Sequence, residues 1–88
     1  MKVDGDKLKR LIEAKFPRGL GGCGLCGQSH WQYDTTIFEL REFEGGNFTI
    51  GGGGSLLPVV TLSCQNCGNI QLLNALTLGI VDRSGRLV

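Results

Sequence analysis

The chain has 88 residues, of which 41% are hydrophobic and 19% are charged, and its formal net charge is +1. A chain this short forms one small domain, which buries a modest fraction of its surface and commonly needs an internal staple. The balance of nine basic and eight acidic residues excludes a global field that would attract nucleic acid or an acidic membrane. The 15 glycines favour tight turns over long helices.

Residues 4–16 form the first predicted element, an α-helix. Leu8 and Ile12 follow the spacing of apolar residues on one helical face. Asp4 or Asp6 can cap the first amides of this helix, and Pro17 and Gly19 end the pattern. The helix therefore has one apolar face, which we expect to pack on the rest of the domain.

Apolar, β-branched and aromatic residues predict strands in five later segments, and glycine-rich stretches lie on both sides of the third. These segments are 29–33, 35–43, 48–50, 56–63 and 69–73. Residues 74–78 predict one helical turn, with Asn74 as its cap and Gly79 as its stop. Residues 82–88 are interpreted as a polar, frayed tail.

The predicted architecture is a single α+β domain over residues 1–88. It consists of an antiparallel sheet of three to four strands, an N-terminal helix and a short C-terminal helical turn. Gly51–Gly54 is interpreted as a loop of this domain, either mobile or the partner-binding tip of a hairpin. The loop lacks the Gly-Lys-Ser/Thr sequence and the following helix that a phosphate-binding loop requires.

Aromatic side chains in the predicted strands are expected to lie mostly in the core, because small β domains bury such residues. These side chains are Trp31, Tyr33, Phe38, Phe43 and Phe48. A platform on which nucleic-acid bases stack is the alternative. Trp31 or Tyr33 is the expected exception to burial.

All four cysteines lie in two copies of one pattern, Cys-x-x-Cys-Gly, with Cys23 and Cys26 in the first and Cys64 and Cys67 in the second. Two intervening residues let one tight turn present both sulfurs to the same ion. The following glycine permits the positive φ that such turns commonly adopt. Four thiolates are a ligand set of tetrahedral structural zinc, which keeps no open position for catalysis. The pattern therefore predicts one Zn(II) ion with a structural role.

Three alternatives to this assignment remain. Iron in a rubredoxin-like site is the first, because thiolates do not by themselves select zinc. Disulfides or a redox pair of cysteines are the second. No uninterrupted apolar core follows Met1-Lys2, so we expect no signal peptide. No apolar run reaches the ~18 residues that span a bilayer. We therefore expect the reducing cytoplasm, where paired cysteines favour a metal. His30 in place of one cysteine is the third, although we expect it at the surface.

The two cysteine turns, with strands between and after them, resemble the zinc ribbon family over residues 21–75. This resemblance implies that all four cysteines are metal ligands. The stretch from Trp31 to Asn74-Ala75-Leu76 also resembles small bacterial zinc-ribbon proteins whose function is not assigned. Transcription-elongation ribbons carry an Asp-Glu pair at the hairpin tip, where this chain has glycines, so that mechanism does not transfer.

The leading functional hypothesis is a non-enzymatic zinc-binding module that mediates protein–protein interaction, since no catalytic set such as Ser-His-Asp is apparent. The alternative is a nucleic-acid-binding zinc ribbon of transcription or phage-related type. Its candidate binding surface combines basic and aromatic side chains: Lys7, Arg10, Arg18, Trp31 and Tyr33. The second alternative is one-electron transfer at rubredoxin-like iron. We expect no membrane partner and no small-molecule substrate.

Overall fold

The computed structural model describes residues 1–43 and 56–88, which form a small α+β fold as the sequence predicts. The elements are α1 (Gly5–Lys15), β1 (Trp31–Tyr33), β2 (Phe38–Arg41), β3 (Leu56–Cys64), β4 (Ile70–Asn74) and α2 (Ala75–Leu78). Some predictions lie outside the described residues. They are the turn at 44–47, the strand at 48–50, the burial of Phe48 and the Gly51–Gly54 loop.

The nine-residue strand β3 is the centre of a four-stranded antiparallel sheet. β4 pairs with it along residues 59–63. β2 pairs with residues 56–59 and β1 with residues 62–64. Because Val59 and Leu62 each have a partner on both sides, β1 and β2 lie in succession along the edge opposite β4.

One face of the sheet, the inner face, is covered by both helices and contributes to the core. Val60 and Leu62 of β3 point into this core, where they pack with Leu8 and Ile12 of α1. Among the described residues, the buried members of this cluster are Val3, Leu8, Ile12, Val60, Leu62, Ala75, Leu78, Ile80 and Val81. The apolar face predicted for the N-terminal helix is therefore the one that packs on the sheet.

Side-chain caps fix the start of each helix. Asp4 Oδ2 accepts a hydrogen bond from the backbone N–H of Lys7 at 3.3 Å. Asn74 Oδ1 accepts hydrogen bonds of 2.9 and 3.3 Å from two amides in α2. Gly79 ends α2 with a φ of 80°, a conformation that glycine adopts at little cost. Of the two predicted caps of α1, Asp4 is the one observed, and the predicted cap and stop of α2 are confirmed.

The opposite face of the sheet, here called the outer face, is left uncovered by the two helices. Strand register and side-chain alternation identify its members as Gln32, Phe38, Leu40, Leu57, Val59, Thr61, Ser63, Ile70, Leu72 and Asn74. Phe38, Leu40, Ile70 and Leu72 are 48%, 46%, 55% and 45% exposed, whereas Val59 between them is 2% exposed. This face is therefore both apolar and partly exposed to solvent.

The prediction that most strand aromatics lie in the core is wrong for two of them. Phe38 lies on the outer face, and Phe43 is 90% exposed. Trp31 and Tyr33, one of which was the expected exception, both pack half-buried against the core. The error arises because alternation shows which side chains share a face, but not which face the helices cover.

Residues 82–88 were predicted as a frayed tail, and the structure shows a turn instead. Asp82 Oδ1 accepts hydrogen bonds from the backbone N–H groups of Ser84 and Arg86 at 2.9 and 3.1 Å. Such local acceptors stabilise tight turns. The chain then runs back alongside residues 80–81, where the N–H of Val88 donates to the carbonyl of Ile80 at 2.9 Å.

Candidate metal centre

Both cysteine turns lie at the same end of the sheet. Cys64 is the last residue of β3 and pairs with Trp31, the first residue of β1. Cys23 and Cys26 precede β1, and Cys67 lies in the turn between β3 and β4. Because β1 runs antiparallel to β3, the segment before β1 lies beside the end of β3. This pairing is what brings the two halves of the site together.

The repeated sequence pattern is also a structural repeat. The N–H of Cys23 donates to the carbonyl of Gln28 at 2.7 Å, and the N–H of Gly27 donates to the carbonyl of Cys23 at 2.8 Å. The equivalent bonds in the second turn, donated by Cys64 and Gly68, measure 2.8 and 2.9 Å. Backbone hydrogen bonds within each turn therefore stabilise its conformation independently of a bound ion.

Glycine is required at specific points of these turns. Gly27 and Gly68 have φ values of 79° and 84°, which confirms the positive φ predicted after each second cysteine. Gly22 is required for a different reason, because a Cβ at that position would lie 2.8 Å from the carbonyl oxygen of Gly27. The backbone leading into the first turn thus packs directly against that turn.

The four sulfurs form one compact cluster. All four Sγ atoms lie within 4.8 Å of one another. The Cys23–Cys67 and Cys26–Cys64 sulfurs are 3.7 and 3.6 Å apart, and each of these pairs joins one turn to the other. A tetrahedron with metal–sulfur bonds of ~2.3 Å has sulfur–sulfur edges of about 3.8 Å. The cysteines are free rather than paired in disulfides, so the cluster can hold one metal ion.

Hydrogen-bond donors favour the thiolate form at the first turn. The pKa of Cys23 is lowered to about 6, chiefly by the backbone N–H of Cys26 and then by that of Leu25, whose nitrogen is 3.4 Å from the Cys23 sulfur. The pKa of Cys26 is also lowered, first by the side chain of Asn66 and then by the backbone N–H of Gln28. Donors of this kind stabilise negative sulfur and prepare it for a cation.

Cys67 has the opposite tendency, and its pKa is raised to about 12. The backbone N–H of Asn69 favours its thiolate, but desolvation and hydrogen bonds with the sulfurs of Cys26, Cys23 and Cys64 outweigh that contribution. Gathering four negative sulfurs is unfavourable without a cation, and a metal ion that binds such a cluster must displace its protons. The arrangement is therefore that of a cation site.

Two asparagines that were not predicted as site residues contribute to the site. Asn69 Nδ2 lies 3.4 Å from the Cys23 sulfur, and Asn66 supplies the hydrogen bond to Cys26 described above. The only sequence signal was an amide side chain inside and just after the second turn. His30 is not part of the cluster of ligating side chains found in the described residues. Its carbonyl accepts a hydrogen bond of 2.8 Å from the N–H of Gln65.

The basic residues of the predicted nucleic-acid surface lie on and just after α1. Arg10 and Arg18 are exposed, and Lys7 is half-buried. Lys7 Nζ donates a hydrogen bond to the backbone oxygen of Val88, so this side chain already has a partner within the protein. Binding of nucleic acid by these residues stays a prediction.

The aromatic residues of that surface have structural contacts of their own. Trp31 and Tyr33 pack against the core from β1. Trp31 Nε1 also donates a hydrogen bond of 2.9 Å to the carbonyl of Gly21. The Trp31 ring therefore helps to anchor the segment that leads into the first cysteine turn.

Comparisons with protein-family models, curated proteins and solved structures find no significant match for this chain. In residues 1–43 and 56–88, no helix has both the length and the apolar character needed to cross a bilayer. The cysteine cluster and the outer face are the observed features that bear on function.

Proposed function

We propose that this chain is a non-enzymatic protein-binding module of the cytoplasm whose fold is closed by one structural zinc ion. The observation that carries this proposal is the cluster of four cysteine sulfurs within 4.8 Å of one another. Four protein ligands complete the tetrahedral coordination of zinc and leave no position for water or substrate. A site of this kind stabilises a fold and does not activate a nucleophile.

The position of the cluster supports a structural role. It joins the turn before β1 to the turn after β3, so an ion there would hold two chain segments that are distant in sequence. Metal binding contributes about 10 kcal/mol or more to folding in small zinc-binding peptides. A contribution of that size would decide whether an 88-residue chain with a small core is folded.

The outer face supports the protein-binding part of the proposal. Monomeric soluble proteins rarely expose large contiguous apolar patches, and such patches commonly mark sites of protein interaction. Here Phe38, Leu40 and Leu72 are about half exposed on one sheet surface. An exposed apolar patch favours a protein partner over nucleic acid, whose phosphates require basic side chains.

Iron is the second candidate for the site. The sulfur–sulfur distances of 3.6 and 3.7 Å suit a tetrahedral thiolate site, which accepts zinc or iron. Zinc is the first choice because four-cysteine tetrahedral sites are characteristic of structural zinc. Iron would make electron transfer the function.

The test is the metal content and stability of purified wild-type protein, Cys64→Ser and His30→Ala. We expect one zinc per chain in wild type and in His30→Ala, and loss of metal with loss of cooperative unfolding in Cys64→Ser. Native stability and full zinc content in Cys64→Ser would contradict the four-cysteine site. A red protein with thiolate-to-iron absorption would establish iron instead.

A further inference from the structure

The outer face has two rows of half-exposed apolar side chains. Phe38 and Leu40 of β2 form one row, and Ile70 and Leu72 of β4 form another. The rows are offset along the central strand, because the β2 row lies beside residues 57–59 and the β4 row lies beside residues 61–63. Two sheets that pack face to face interdigitate the side chains of their facing surfaces.

The described residues of this face carry no charge. No outward position of β1, β2, β3 or β4 carries a charged residue, and the polar members are Gln32, Thr61, Ser63 and Asn74. A neutral face offers no electrostatic complementarity to an acidic or basic partner or to nucleic acid. It fits a partner surface that is itself apolar and neutral. A second copy of the same face meets both conditions.

The size of the patch fits an interface between two copies. Its five apolar side chains, Phe38, Leu40, Leu57, Ile70 and Leu72, are between 37% and 55% exposed. With about 150–250 Å² for a whole aromatic side chain and somewhat less for an aliphatic one, they expose roughly 400 Å² together. Interfaces are about 60% apolar, so such a patch corresponds to roughly 650 Å² per copy. A pair would bury about 1,300 Å², which exceeds the ~1,000 Å² expected of a specific interface.

We propose that the outer face binds the outer face of a second copy of this chain and forms a two-fold symmetric homodimer. The two sheets would stack about 10 Å apart, with the helices on the outside of the pair. The rows on β2 and β4 of one copy would pack against the outer face of the other. This inference rests on the proposed protein-binding function and deepens it by naming the partner.

The experiment is sedimentation equilibrium of the metal-loaded full chain from about 1 μM to 1 mM, a range that brackets the micromolar affinities of small interfaces. Leu40→Gln and Leu72→Gln each place a polar group on the outer face. Leu56→Gln is the matched control, because Leu56 is 50% exposed on the same central strand but points to the opposite face. Thr61→Arg places a charge at the centre of the face without removing an apolar side chain.

We expect wild type and Leu56→Gln to reach twice the 9.5 kDa chain mass. Leu40→Gln, Leu72→Gln and Thr61→Arg should dissociate at least about 30-fold more readily, since each change acts twice in a symmetric pair. Wild type that stays monomeric up to 1 mM overturns the proposal, whether or not it captures a different protein. A dimer that resists Thr61→Arg and both glutamine variants, or that Leu56→Gln alone dissociates, also overturns it. Metal content measured on the same samples shows separately whether the metal-site proposal fails.

Discussion

The side-chain amide of Asn69 donates a hydrogen bond to the sulfur of Cys23, with Nδ2 and Sγ 3.4 Å apart. The contact joins a residue that follows the second cysteine turn to a candidate ligand in the first turn. It is one of the contacts that lower the pKa of Cys23 to about 6. Donors behind a metal ligand orient that ligand and tune its affinity for the ion. Asn69 therefore couples the two turns even before an ion does.

Replacing Asn69 with alanine should weaken zinc binding roughly 10-fold, because the Cys23 thiolate loses a donor. Competition with a chromophoric zinc chelator at pH 7 measures this change. Gln71→Ala is the control, since Gln71 is an exposed amide side chain on the neighbouring strand β4. Equal affinities in the two variants would show that the Asn69 contact does not act on the metal.

Acidification should weaken metal binding, and the metal affinity should fall more steeply with pH below about pH 6. A metal displaces the proton of every ligand that is protonated in the metal-free protein. The pKa of Cys67 is about 12 and that of Cys23 about 6. The Cys67 proton is therefore displaced throughout the neutral range, whereas the Cys23 proton is displaced only below about pH 6.

The measurement for this pH dependence is a chelator competition series from about pH 5 to pH 8. The slope of log affinity against pH should increase by about one proton as the pH falls through 6. In Asn69→Ala the change of slope should move to higher pH, because the Cys23 thiol then holds its proton more tightly. A constant slope in wild type would contradict the lowered pKa of Cys23.

Gly22→Ala should destabilise the domain, whereas Gly24→Ala should not. A Cβ at Gly22 would lie 2.8 Å from the carbonyl oxygen of Gly27, but one at Gly24 would meet nothing within 4 Å. Neither glycine has a positive φ, so the contrast isolates the clash. We expect Gly22→Ala to lower the free energy of unfolding by about 1–3 kcal/mol and Gly24→Ala to change it by less than about 0.5 kcal/mol. Urea unfolding of metal-loaded protein provides the comparison, and similar values for both would refute the clash.

Asn74→Ala should lower the free energy of unfolding by about 1 kcal/mol while leaving metal stoichiometry unchanged. The reason is that Asn74 Oδ1 accepts two hydrogen bonds from the first amides of α2. Asn74→Asp keeps an acceptor at the same position and should retain most of the stability. Thermal unfolding of the three proteins checks this, and an equal loss in both variants would argue against a capping role.

The parts of this protein that the sequence predicts well are governed by neighbouring residues. The cysteine turns follow from the spacing of Cys23 and Cys26 and from the positive φ that Gly27 allows. The start of α2 follows from Asn74 and its end from Gly79. In each case the donor, acceptor or backbone conformation is set within about five residues, so the local pattern contains the cause.

The parts that the sequence does not predict depend on which surfaces meet. Phe38 and Trp31 are both aromatic strand residues, and only the packing of the helices leaves Phe38 exposed while Trp31 is half-buried. The contact from Asn69 to Cys23 depends on the pairing of β1 with β3. The outer face appears only when the register of all four strands is known.

Strand β3 makes the folding of the domain cooperative. Each of the other strands in residues 1–43 and 56–88 pairs with it, and its last residue, Cys64, belongs to the sulfur cluster. In this part of the chain, no sheet would remain if β3 separated from its neighbours. Metal uptake and folding should therefore form a single transition. A sample with half the full metal content would then be a mixture of folded, metal-bound molecules and unfolded, metal-free molecules, rather than a population of partly folded ones.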